Sequence, residues 1–512
     1  MPIRLGGMIS GLDTDAIVKE LMSAQSLKKT SIEQKKTKLD WKKEKWEELN
    51  TKMYSLYTEK LSALKLQGSY LTKKASSSDE SKVKATASNA SNGTYSIEIK
   101  QLASSQYVTG ADISEKHLKK NSLLKDAGMS VGQTISIGTS KINSETGLRE
   151  PATTTIEIKE DTTVSDLLGK LGEAGLNASF DENTGRFYIS AKESGENGKF
   201  TLSSSVTGAG GLSEIGLEEI TDDLALNGRV ATDASQVAVV AATDAEIILN
   251  GAHISSSNNT LNVNGLSLEL TGKTAEGSPI SITVGNDVDA VYDKVKEFVK
   301  SYNELLTEMY EKYNAKPAKG YQMLSDDEKE AMSDEEVKLW EDKIKSALLR
   351  NDTTLGDLMN TFRSSMQDVV EVDGKKYSLS NFGIVTGEYT EHGLLHIEGN
   401  SEDGTYADKD DKLRKALEDD PEGTAKALSQ IMSKFYSTLT ERMSASSISS
   451  ALTFYNDKQI KSQTDDYDKQ IKNWETKLAD MEDRYYKQFS ATESSMAKLQ
   501  NQQNQLAGML GG

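Results

Sequence analysis

The stretch YDKQIKNWETKLADMEDRY, residues 467–485, decides how this chain is built. Its apolar residues Tyr467, Ile471, Trp474, Leu478, Met481 and Tyr485 are spaced 4, 3, 4, 3 and 4. That rhythm keeps them on one narrow helix face, the pattern of a coiled-coil seam. A second four leads to Phe489, after which the rhythm resumes through Met496, Leu499, Leu506 and Leu510. The doubled four reads as a stutter, which locally unwinds a coiled coil. A looser stripe lies near the other end at Ile32, Leu39, Trp46, Leu49, Met53, Leu56 and Ala63, preceded by Ile9, Leu12, Ile17 and Leu21. A helix of about 45 residues is roughly 70 Å long at 1.5 Å per residue, too long for a compact core. Two such helices must pack on each other or on neighbouring subunits. Glycines near both tips (Gly6-Gly7, Gly11, Gly508, Gly511-Gly512) weaken the isolated ends, which favours ordering on assembly. The expected contact surface of this stem is therefore Ile9, Leu12, Ile17, Leu21, Ile32, Leu39 and Trp46, facing the second stripe from Tyr467 to Leu506.

Working inward, the middle of the chain changes in kind. Residues 80–285 are rich in Ser, Thr, Gly and Asn. In Tyr95-Ser96-Ile97-Glu98-Ile99-Lys100 apolar and polar residues alternate, as in a half-buried strand. Val164, Leu167, Leu168 and Leu171 predict a short helix capped by Gly175, followed by a hairpin that turns at Asn183-Thr184-Gly185. Further antiparallel strands are expected from Ala245 to Val284. Helix returns at Val288, Val291, Val295, Phe298, Tyr302, Leu305 and Met309. Ser325…Glu328 and Ser333…Glu336 fit the capping box, and Pro421 suits a first helical turn.

The order helix, β-rich middle, helix predicts an α+β multidomain protein, a chain folded back on itself. The expected domains are a coiled-coil stem of residues 1–45 and 465–512 and a helical domain of 46–80 and 285–464. An antiparallel β-rich head of 81–115 and 243–284 carries an inserted outer domain, 116–242.

Composition narrows the function. With Lys+Arg 60 against Asp+Glu 79 the net charge is −19, which repels phosphate backbones and argues against nucleic acid. The stretch Lys28–Lys52 holds nine lysines and five acidic residues, and reads as a solvated helix face. There is no cysteine, so disulfides and thiolate metal sites are excluded. Asp13, Asp15, Lys19 and Glu20 interrupt the place where a leader's apolar core would sit, and no run is long enough to insert in a membrane. Gly272-Lys273-Thr274 resembles the end of a phosphate-binding loop, but Ser267 stands where the pattern needs glycine. His392 and His396 have zinc-ligand spacing, yet Gly393 and its neighbours favour a hairpin over a helix. Asp410-Asp411 and Asp465-Asp466 are adjacent and so do not converge on a helix face. No active site, cofactor or metal is expected.

The chain resembles the flagellar cap family, hook-associated protein 2. The likeness rests on Gly6-Gly7-Met8-Ile9-Ser10-Gly11-Leu12-Asp13-Thr14, Ser69-Tyr70-Leu71, Gly93-Thr94-Tyr95, and most specifically on 243–310, with Asn250-Gly251, Asn264-Gly265, Phe298-Val299 and Tyr302-Asn303. Arg484-Tyr485, Gln488-Phe489, Glu493 and Asn501-Gln502-Gln503 resemble the family's end, and 161–203 the repeated motif of flagellin and hook proteins. The resemblance implies a non-enzymatic scaffold, a homo-oligomeric ring of usually five subunits at the distal tip of the bacterial flagellum. There it would guide flagellin into the lattice beside the hook–filament junction proteins. Secretion through the flagellar export apparatus, with an export chaperone, would bring it outside the cell. The alternative is a surface adhesin that binds mucin or host glycan through the outer domain.

Overall fold

The computed structural model describes Gly11 and residues 13–510, with side chains as far as Ala507. The fold is α+β, with long helices at the two ends and antiparallel sheets between them. It divides into two compact units, one formed by the chain up to Leu71 and from Val288 onward, the other by Thr72–Asp287. The main helices, in chain order, are α1 (Thr14–Ser55), α2 (Val164–Glu173), α3 (Val288–Tyr313), α4 (Asp334–Ser346), α5 (Thr353–Met366), α6 (Lys412–Asp419), α7 (Pro421–Arg442) and α8 (Asp457–Leu510).

In the helical unit the helix boundaries follow local chemistry. Asp13 accepts a hydrogen bond from the Ala16 amide at 2.9 Å and starts α1. Both expected capping boxes form, at Ser325/Glu328 and Ser333/Glu336, and Pro421 opens α7 behind the Asp420 cap. The core gathers Leu49 and Met53 of α1, Phe298, Tyr302 and Leu306 of α3, Phe362 of α5, and Leu428, Ile431 and Phe435 of α7. Tyr302 stacks on Phe362 at 6.0 Å, and Phe362 meets Phe435 edge-on at 5.3 Å. The side-chain amide of Asn303 donates to the Leu395 carbonyl at 2.7 Å and accepts from its amide at 2.8 Å. This pairs α3 with the short strand Leu395–Ile397.

One expectation about α1 is corrected. After Ser55 the helix widens into a π turn, Leu56–Leu61, which adds a residue to one turn. The apolar row Trp46, Leu49, Met53, Leu56 therefore continues at Tyr57, Leu61 and Leu64, all buried, while Ala63 is exposed. The Tyr57 ring stacks on Tyr436 at 4.2 Å, and its hydroxyl hydrogen-bonds Thr440 at 2.9 Å.

The second unit has two cores. The inner one lies on a five-stranded antiparallel sheet, in the order 73–77, 280–286, 93–101, 245–249, 252–256, with a three-stranded sheet of 260–263, 266–270 and 83–87. Tyr95, Ile97 and Ile99 point inward as their alternation predicts. Because Lys73–Ser77 pairs with Ile282–Asn286, the sheet begins before residue 81. The outer core, residues 104–242, combines a four-stranded sheet (238–240, 107–109, 186–191, 176–181) with a three-stranded one (149–157, 134–142, 201–204). Helix α2 buries Val164, Leu167 and Leu171 in it. Thr163 and Asp166 cap that helix reciprocally, and Gly175, at φ +97°, ends it.

The candidate partner surface of the terminal helices

Helices α1 and α8 pack along each other and run antiparallel: Lys29 reaches Glu475 at 3.1 Å, and Lys36 reaches Asp468 at 2.7 Å. The Lys28 ammonium lies 5.6 Å from the centre of the Trp474 ring. The lysine-rich stretch is thus more than a solvated face, because acidic groups on α8 set its register. Lys42 also pairs with Asp352 of the α5 cap, at 2.8 Å. The Glu475 carboxylate raises the Lys29 ammonium above its ordinary range, and Asp468 does the same for Lys36. These pairs are exposed enough that their strength is small, about 0.2–1 kcal/mol each, so their role is alignment.

The apolar row of α8 is only half covered by this pairing. Tyr467, Ile471, Trp474, Leu478, Met481, Tyr485 and Phe489 are all of intermediate exposure. Each of these side chains keeps part of its surface accessible, so the pairing with α1 leaves the seam open along one side. On α1, Ile17, Ile32 and Leu39 are likewise half-buried, and Leu21 is 39% exposed. Ile9 and Leu12 lie outside the described residues.

Two expectations change. Trp46 is 2% exposed and stacks on Tyr455 of the same chain at 5.6 Å with an interplanar angle of 6°. It belongs to the core of the helical unit and presents no surface to a partner. Beyond Tyr485 the inward row continues by fours through Phe489, Glu493 and Ala497. Four residues overshoot one helical turn, so the row rotates around α8. Met496, Leu499 and Leu506 consequently face outward, at 39, 64 and 59% exposure. Reading the sequence also missed Thr14 and Val18, which are buried. They share a face four residues apart.

The motifs weighed for chemistry are engaged otherwise. His396 Nδ1 hydrogen-bonds Asp403 at 2.8 Å, and His392 stacks on Tyr310 at 3.7 Å. Gly272-Lys273-Thr274 lies in the loop after the strand Leu266–Leu270. Among the described residues no three His, Cys, Asp or Glu side chains converge as metal ligands. No described helix is long and apolar enough to cross a membrane.

Residues 10–106 match the family model for the flagellar hook-associated protein 2 N-terminus, and residues 242–501 match that for its C-terminus. The chain belongs to the flagellar hook-associated protein 2 family. It is 28% identical to the flagellar hook-associated protein 2 of Halalkalibacterium halodurans, covering 96% of this chain and 97% of that one. It is also 28% identical to the B-type flagellar hook-associated protein 2 of Pseudomonas aeruginosa, over 72% of this chain and 69% of that one. The fold resembles the crystal structure of the flagellar cap protein FliD D1-D2-D3 domains from Escherichia coli, with a TM-score of 0.52 at 21% identity. That likeness covers 82% of this chain and 98% of the other.

Proposed function

We propose that this chain is the capping scaffold at the distal tip of the bacterial flagellar filament, where copies of it form a ring that guides exported flagellin into place. The observation that carries this reading is the half-covered apolar row along α1 and α8, in a chain of the flagellar hook-associated protein 2 family. Such a row leaves apolar surface on both helices that further helices can cover. The surface we assign to partner contact is Ile17, Leu21, Ile32 and Leu39 on α1, with Tyr467, Ile471, Trp474, Leu478, Met481, Tyr485, Phe489, Met496, Leu499 and Leu506 on α8. Ile9 and Leu12 extend it by sequence. A five-membered ring, neighbouring hook–filament junction proteins, and secretion through the flagellar export apparatus with a chaperone complete the proposal. The role is structural, with no catalysis. Both family models flank the outer part of the β-rich unit, leaving residues 107–241 unmatched, so what supports the cap reading lies in the ends and the inner strands. No specific observation favours the adhesin reading.

The experiment is genetic. Deleting the gene should leave bacteria that shed monomeric flagellin and carry no filaments. Complementation with a Leu478→Asp, Tyr485→Asp double variant should fail, although the variant folds. Full filaments in the deletion strain, or normal swimming with the double variant, would overturn the proposal.

A further inference from the structure

The β-rich unit contains two hydrophobic cores that share no residue. The chain passes from the inner to the outer part near Ser104 and returns near Thr243. At this crossing Ser104 and Thr243 exchange backbone hydrogen bonds of 2.9 and 3.1 Å, and the Ser104 hydroxyl donates to the Ala241 carbonyl at 2.9 Å. Two chain segments crossing side by side through one isolated bridge fix where the parts join, but that bridge alone does not fix the angle between them. That is the construction of a hinge.

A third contact sets the angle. The loop 192–198 of the outer part reaches the crossing and the inner part through consecutive residues. The Ser194 hydroxyl donates to the Ser257 carbonyl at 2.7 Å, and the Gly195 amide donates to the Ser104 carbonyl at 3.0 Å. The Glu196 amide donates to Asp244 Oδ1 at 2.7 Å. The other Asp244 oxygen, Oδ2, accepts from the Ser255 hydroxyl at 3.3 Å, so the inner part holds that carboxylate in place. Gly195 sits at φ +70°, where only glycine is at ease. A Cβ on it would come within 2.5 Å of Ser257 Cα and 2.7 Å of the Ser257 carbonyl oxygen. The loop is thus seated against backbone in a place that admits no side chain. Its grip consists of hydrogen bonds to a half-buried carboxylate and two carbonyls, and it can break without disturbing either core.

We propose that the loop 192–198 is a latch, with Asp244 as its keeper, that holds the outer part at one angle to the inner part. Seated, it makes the β-rich unit one rigid body. Released, it lets the outer part swing about the Ser104/Thr243 crossing with both cores intact. The proposal is independent of the cap reading.

The chain has no cysteine, so spin labels can be placed at Glu145→Cys in the outer part and Glu276→Cys in the inner part of the full-length protein. Electron paramagnetic resonance should give one narrow distance. Adding Asp244→Ala should bring a second, displaced population while thermal unfolding shows both cores still cooperative. Gly195→Val should do the same, whereas Asp244→Asn, which keeps an acceptor for the Glu196 amide, should restore the single distance. If Gly195→Val fails to fold, the Asp244 pair of variants decides alone. A broad distribution without any substitution would overturn the proposal. So would a distance as narrow in Asp244→Ala as in the unsubstituted chain.

Discussion

Replacing Trp46 by alanine separates internal packing from partner contact in the N-terminal helix. Trp46 is 2% exposed, and its ring lies parallel to that of Tyr455, 5.6 Å away. An indole removes about 200 Å² from water when buried. At about 25 cal/mol per Å² that is roughly 5 kcal/mol, part of which alanine retains. Core Trp→Ala changes cost about 3–5 kcal/mol. We therefore expect the helical unit to lose about 4 kcal/mol. Trp46→Phe, which keeps a stacking ring, should lose less than half of that. A double-mutant cycle with Tyr455→Ala should return a coupling of about 1 kcal/mol, the usual worth of an aromatic pair beyond its buried area. The assay is urea unfolding followed by far-ultraviolet circular dichroism, repeated across a dilution series. Leu478→Asp serves as the reference, because that half-covered side chain should leave the transition of a dilute sample nearly unchanged. A Trp46→Ala protein that unfolds at the unsubstituted midpoint but no longer associates would refute the placement of Trp46 in the core.

Three further outcomes are expected. Reversing Lys29 and Lys36 to glutamate should loosen the pairing of α1 with α8, and adding Glu475→Lys with Asp468→Lys should restore it, each exposed pair contributing about 0.2–1 kcal/mol. Hydrogen exchange over residues 14–40 reads this, and an unrepaired quadruple variant would argue against the register. Tyr302 is fully buried, and its hydroxyl has no hydrogen-bond partner among the described residues. Tyr302→Phe should therefore stabilise the helical unit by about 1 kcal/mol, since an unpaired buried hydroxyl costs about 1–3 kcal/mol; a loss of stability in urea would contradict this. The Thr163 hydroxyl and amide hold the Asp166 carboxyl below its ordinary range. A depressed carboxyl contributes stability above its unfolded value of about 3.9 and loses it as pH falls through the folded value, so the outer part should weaken in acid below about pH 4. Asp166→Asn should flatten that dependence in thermal melts, and an unchanged acid limb would remove the capping pair as its cause.

Much of the local structure is legible in single residues. The alternating three- and four-residue spacing of Val288–Met309 and of Tyr467–Tyr485 gives helices α3 and α8, because a helix repeats its face every 3.6 residues whatever surrounds it. The capping pairs Ser325/Glu328 and Ser333/Glu336 satisfy orphan amides within one turn, so their chemistry is complete in the sequence. The alternation at Tyr95–Ile99 fixes which side of that strand is buried.

What the sequence determined by itself is therefore the kind of element at each place, the antiparallel character of the middle, the absence of thiol chemistry and a family likeness. The tertiary structure alone decided the phase and partners of those elements. Trp46 and Leu39 are equally apolar and seven residues apart on one stripe. Only the arrival of Tyr455 makes one of them core and leaves the other half-covered. The π turn at Leu56–Leu61 moves the inward row from Ala63 to Leu64, and no short-range spacing announces it, because the extra residue is stabilised by Tyr436 and Thr440 from the far end of the chain. Met496 and Leu499 continue the coiled-coil rhythm on paper. A row advancing by fours turns away from its neighbour, and that rotation is a property of three-dimensional helices side by side.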